Sequence, residues 1–142
     1  MGQVGIVWGG EGFHTVDYYA EIWFFFLAQA VEQAPTKPPE WLVELGTKWH
    51  EEATIAIGGT VRNYLDKYVT SYERRDMVAE IVNAAEALLR TLGEELTSEW
   101  LIENRISGCE TWLRGIQVET ILDVAKQFKK VLNDGRLPTD RQ

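Results

Sequence analysis

The sequence predicts an all-α fold, a single-domain bundle of about six helices around a central apolar helix, with a short N-terminal strand or hairpin admitted in front of it. Three observations carry this expectation. The run Ile22-Trp23-Phe24-Phe25-Phe26-Leu27 puts bulky apolar side chains on every side of a helix turning about 100° per residue, and a helix apolar all round must be enclosed by others. Several later segments repeat apolar residues at steps of three and four. Glycine and proline stand between those segments, where a helix stops. The alternative is an α+β fold with a hairpin in residues 100–116.

The chain opens with Val4 to Trp8, a short apolar run entering Gly9-Gly10-Glu11-Gly12, within a glycine-rich leader of residues 1–14. The central helix is expected from Val16 to Gln33, capped by Thr15 or Asp17 and ended before Ala34-Pro35. Glu21 and Glu32 bracket an apolar core shorter than the roughly 20 residues of a membrane span, so no membrane segment is expected. After the stiff connector Thr36 to Pro39, Pro39 and Glu40 suit the first turn of a second helix. Trp41, Leu45 and Trp49 form its buried stripe beside a salt-bridged row of Glu44, Lys48 and Glu52.

Gly58-Gly59 break the chain, and Thr60 caps a third helix running to about Val69, with Tyr64, Tyr68 and Tyr72 four apart. A fourth helix, Ser71 to Leu92, starts from a capping box of Thr70 and Glu73 and ends at Gly93. Its stripe is Met77, Ile81, Ala85, Leu88 and Leu92, widened by Val78, Val82 and Leu89, and Glu86 can pair with Arg90 outside. Thr97 caps a fifth helix with a heptad-like seam of Ile102, Ile106, Cys109, Leu113 and Ile116, weakened by Gly108 and Gly115. The last helix, Val118 to Leu132, buries Ile121, Leu122, Ala125, Phe128 and Leu132 and stops at Asn133-Asp134-Gly135, leaving residues 136–142 as a frayed tail.

Composition narrows the function. Fourteen Lys and Arg against twenty-two Asp and Glu give a formal charge of -8, which repels polyphosphate, disfavours nucleic acid and admits a basic protein partner. One cysteine makes no internal disulfide, and with no visible secretion signal the cytoplasm is the expected compartment. No local spacing assigns a nucleophile with its base, a metal site or a cofactor site. In a helix His50 shares its face with Gly46, Thr47, Ala53 and Thr54, none a strong metal ligand, so no metal is expected there. A ligand loop of Gly9, Gly10, Gly12 and His14 is considered because glycines admit close backbone approach, but it lacks the phosphate-loop lysine and Glu11 would repel a phosphate.

The segment Glu94 to Glu110 is the most polarised, with five glutamates against Arg105 alone, a local charge of -4. On a helix Glu95, Glu99 and Glu103 would form a carboxylate row beside the indole of Trp100, and Glu94 adjoins it. These five residues, Glu94, Glu95, Glu99, Trp100 and Glu103, are the expected partner-binding surface of a non-enzymatic acidic protein-binding module, inhibitor-, antitoxin- or adaptor-like, that engages a basic protein. The alternatives are a homo-oligomeric structural subunit, motivated by six Trp, five Tyr and five Phe, and a small-ligand-binding protein or enzyme using the glycine loop.

Overall fold

The computed structural model describes residues 2–55, 62–106 and 114–140. The chain starts with a hairpin in which β1 (Gln3–Trp8) pairs antiparallel with β2 (Glu11–Val16), Gln3 opposite Val16 and Trp8 opposite Glu11. Its two-residue turn needs left-handed backbone at both positions, and Gly9 and Gly10 supply it at φ 62° and 83°. Val4, Ile6 and Trp8 alternate inward with period two while Gln3, Gly5 and Val7 face out. The leader is thus an ordered hairpin belonging to the core. Trp8 also ties it to a distant segment, its Nε1 donating to the Val69 carbonyl at 2.9 Å.

The central helix α1 (Asp17–Glu32) follows directly. Its first turn is not capped as expected: Thr15 lies buried in β2, Val16 occupies the cap position, and Asp17 instead accepts the N–H of Tyr18 through its side chain at 2.8 Å. Every residue from Ala20 to Ala28 is buried, so the apolar hub is enclosed as its all-round pattern requires. Helices α2 (Glu40–Thr54), α4 (Tyr72–Arg90) and α6 (Val118–Asp134) all pack on it. Trp23 meets Phe128 of α6 edge to face at 5.9 Å, and Phe24 stacks on Trp49 of α2 at 6.4 Å. Each fully enclosed ring of this kind contributes roughly 2–3 kcal/mol by leaving water.

In α2, Leu45 and Trp49 are buried and Trp41 packs at the core edge. The expected charged row is broken, because Glu52 turns inward and its carboxylate accepts the N–H of Arg62 at 3.1 Å. In α4 the buried stripe is Val78, Ile81, Val82, Ala85 and Leu89, with Leu92 left exposed beyond the last turn. Its cap is Ser71 and not Thr70, the Ser71 hydroxyl accepting the Arg74 N–H at 3.1 Å. Glu86 meets Arg90 at 4.0 Å and also pairs with Lys129 of α6, which ties the two helices. In α6 all five expected residues are buried, together with Val124 and Val131.

Four expectations need correction. The fold is not purely all-α: six α-helices among the described residues share the chain with two small antiparallel hairpin sheets, which is an α+β architecture. The third helix shrinks to α3 (Leu65–Tyr68), since Tyr64 at φ 59° is left-handed and cannot continue a helix; Gly58, Gly59, Thr60 and Val61 lie outside the described residues, and the four-apart tyrosine ridge does not form. The fifth helix, α5 (Ser98–Glu103), lasts six residues, because Arg105 at φ 57° ends it. Its seam therefore dissolves: Ile102 is exposed, Ile106 is buried beyond the helix, Ile116 sits in a strand, and Cys109 and Leu113 lie outside the described residues. The sheet here is β3 (Glu95–Leu96) paired with β4 (Ile116–Gln117), and of the alternative hairpin in residues 100–116, residues 107–113 lie outside the described residues. Finally, the tail is held and not frayed through Asp140: Tyr72 donates its hydroxyl to Asp140 at 2.6 Å and accepts the Leu137 N–H at 3.1 Å.

Candidate functional site

The acidic face is built by a clasp. Strand β3 pairs with β4, and the Glu94 carbonyl accepts the Val118 N–H at 2.9 Å at the start of α6. Gly115 is required here, because a Cβ on it would lie 2.4 Å from the Leu96 carbonyl oxygen and 2.9 Å from the Glu95 side chain. Buried Leu96 and Leu101 then pin the short helix to the core. Thr97 caps α5 as expected, its hydroxyl accepting the Trp100 N–H at 3.1 Å, and Asn104 closes the other end on the Trp100 carbonyl through both its backbone N–H and its side-chain amide.

Trp100 is half-buried on a platform made by the hub: its ring lies parallel to Phe26 at 5.5 Å and edge-on to Phe25 at 5.4 Å. Such aromatic pairs contribute about 1 kcal/mol each beyond burial and fix the indole in one orientation. Glu94, Glu95, Glu99 and Glu103 are all exposed around it, and among the described residues none of the four makes an ion pair. The expected carboxylate row holds in part. Glu99 and Glu103 share one face of α5, whereas Glu95 reaches the same region from β3 with its stem over Gly115. Ile102, 45% exposed, stands one turn on from Glu99 and adds an apolar point between charges.

The glycine loop has a different geometry from a phosphate cradle. Gly9 and Gly10 are the hairpin turn, and the Gly9 carbonyl accepts the Arg136 N–H at 2.9 Å, so the turn is docked on the end of α6. Gly12 sits opposite Val7 and His14 opposite Gly5 in the ladder, which spreads the four residues along the hairpin. Beside the turn, Glu11, Gly12 and Phe13 border a cleft of about 220 Å³ whose one lysine, Lys130, bonds Asp134 at 2.9 Å. That hydrogen bond raises the Lys130 pKa and lowers that of Asp134. Among the described residues no group of three or more His, Cys, Asp and Glu is arranged to hold a metal, and no helix is long and apolar enough to cross a membrane.

Two features escape sequence reading. One is the pairing of Trp100 with the hub, a contact between residues more than seventy positions apart that no periodicity signals. The other is a groove of about 570 Å³ between α1 and α2, with Val43, 42% exposed, at its edge and His50 at its end. Phe25 links the two, its ring 6.3 Å from His50 and 5.4 Å from Trp100. No family model, curated protein or solved structure matches this chain.

Proposed function

We propose that the protein is a non-enzymatic acidic binding module, inhibitor-, antitoxin- or adaptor-like, that engages a basic protein through the face of Glu94, Glu95, Glu99, Trp100 and Glu103. The observation that carries this reading is the indole clamped on Phe25 and Phe26 amid four exposed carboxylates with no ion-pair partner among the described residues. Unpaired like charges on one small helix and its adjoining strand repel one another, and a cationic partner relieves that repulsion. The charges raise the encounter rate, while the half-buried ring, already fixed, supplies contact area at little further cost in side-chain entropy. The homo-oligomer alternative loses its main motive, since Trp8, Trp23, Phe24 and Trp49 are all enclosed within one chain.

Capture from a native lysate at low ionic strength should recover a basic protein that is largely released at high salt. The triple variant Glu95→Lys, Glu99→Lys, Glu103→Lys should abolish capture while keeping the wild-type helical circular dichroism, and Trp100→Ala should weaken it further than any single charge reversal. Capture that survives the triple reversal would remove the assignment of this face.

A further inference from the structure

We infer that the groove between α1 and α2 is a second half of the same binding face and that its occupant is a basic amphipathic helix of the partner protein. The inference rests on the proposed acidic-face reading and extends it by naming the partner's shape. Ala28, Val31 and Glu32 line it from α1 at steps of three and four, and Val43, Thr47 and Glu51 at four-residue steps from α2, so each wall presents one helical stripe. Gly46 lets α1 and α2 approach closely, a Cβ there lying 3.0 Å from Val31. Thr47 makes no open polar demand, because its hydroxyl already donates to the Val43 carbonyl at 3.1 Å.

Charge selects the occupant. The ionisable groups lining the groove are Glu32, Glu51 and His50, with no Lys or Arg among the lining residues, and the buried Phe25 ring touches both His50 at the groove's end and Trp100 of the acidic face. An apolar floor between acidic rims is complementary to a helix with an apolar stripe flanked by Lys or Arg. A small molecule suits it less, since small-ligand sites enclose about 70–90% of their ligand and this groove is open along one side. The neighbouring groove of about 500 Å³ between the Pro35 to Pro39 connector and α4 shows the contrast: Lys37 and Glu80 both line it, so it prefers neither sign.

The test is fluorescence anisotropy of three labelled synthetic peptides against the full chain: a Leu–Lys amphipathic helix, a scrambled peptide of the same composition, and a Leu–Glu peptide with the same apolar stripe. The Leu–Lys helix is expected to bind about tenfold or more tighter than the scrambled peptide, and the Leu–Glu peptide to bind weakly or not at all. Val43→Asp should bring the Leu–Lys helix down to the scrambled level, and Glu32→Lys with Glu51→Lys should weaken it about tenfold; these positions are exposed, and thermal melts would establish that the variants stay folded. Equal binding of helix and scramble, or full affinity in folded Val43→Asp, overturns the groove assignment. Sensitivity to the groove variants with none to Glu99→Lys and Glu103→Lys instead overturns the α5-face reading and leaves the groove standing.

Discussion

Replacing Trp8, Trp23 and Trp49 by Phe, one at a time, isolates what a single indole N–H is worth in this core. The three rings are equally enclosed, at 1%, 0% and 0% exposure, and differ in what the N–H meets. Trp8 Nε1 donates to the Val69 carbonyl at 2.9 Å in the interior, and Trp49 Nε1 to the Asn63 carbonyl at 3.0 Å nearer the surface. Trp23 Nε1 is buried without a hydrogen-bond partner. Each change removes three heavy atoms from a packed site, which at about 0.8 kcal/mol per buried carbon costs roughly 2 kcal/mol everywhere. At Trp8 a hydrogen bond is also lost and a buried carbonyl orphaned, adding about 1–2 kcal/mol; at Trp49 the carbonyl is close enough to water to recover part of that. At Trp23 the change deletes a donor whose desolvation was never compensated and returns about 1–2 kcal/mol. The expected order of destabilisation is Trp8, then Trp49, then Trp23, with about 3–4 kcal/mol at the first and about 1 kcal/mol or less at the last. Urea titration followed at the helical circular dichroism band reads this without relying on the fluorophore being removed, as a shift in midpoint at constant slope. Equal midpoint shifts at all three sites would refute the reasoning, because the rings would then matter only by volume.

Two further outcomes are expected. Gly93→Ala should cost about 1 kcal/mol, since its φ of 85° strains any side chain but nothing lies within 4 Å, whereas Gly9→Ala should cost several times more, because its Cβ would meet the backbone of Gly135 and Arg136 at 2.5–2.8 Å; paired thermal melts decide. Lys130→Ala should move the Asp134 carboxyl titration, followed by NMR, back up toward its ordinary value. The depressed Asp134 pKa places its contribution above the unfolded value, to be lost as pH falls through the folded one, yet Lys130 is exposed and Asp134 only partly covered, so solvent screens the pair and the melting temperature should change little at neutral pH.

Local chemistry made much of this fold legible. The all-round apolar run marks the hub, the stripes of α2, α4 and α6 mark what covers it, and Gly9-Gly10 marks a hairpin turn. What stayed hidden depends on partners far along the chain or on single backbone angles. Tyr64 and Arg105 adopt left-handed conformations that their side chains do not advertise, and each cuts short a helix whose apolar spacing was sound. The two-residue strands β3 and β4 carry no periodicity of their own; they exist because Gly115 lets the backbone close on Leu96. Ser71 outcompetes Thr70 as a cap one residue away, and the tail is held by Tyr72, a residue 68 positions from Asp140. At the candidate site the charges were readable, but the row was not, since Glu95 left the helix for a strand.

The consecutive aromatics of α1 have a reason beyond filling space. Neighbours on a helix point about 100° apart, so a run of four can address several structures at once. Trp23 reaches Phe128 on α6, Phe24 reaches Trp49 on α2, and Phe25 and Phe26 together receive Trp100 from α5. Without Phe25 and Phe26 the helix would still have its covering helices, but α5, six residues long and far too short to persist by itself, would lose the stack that anchors it. Phe25 also packs against His50, which stands at the end of the groove between α1 and α2. The apolar hub thus acts as core on two sides and as the base of an acidic surface on the third, which is why a helix this hydrophobic can sit one ring away from four exposed glutamates.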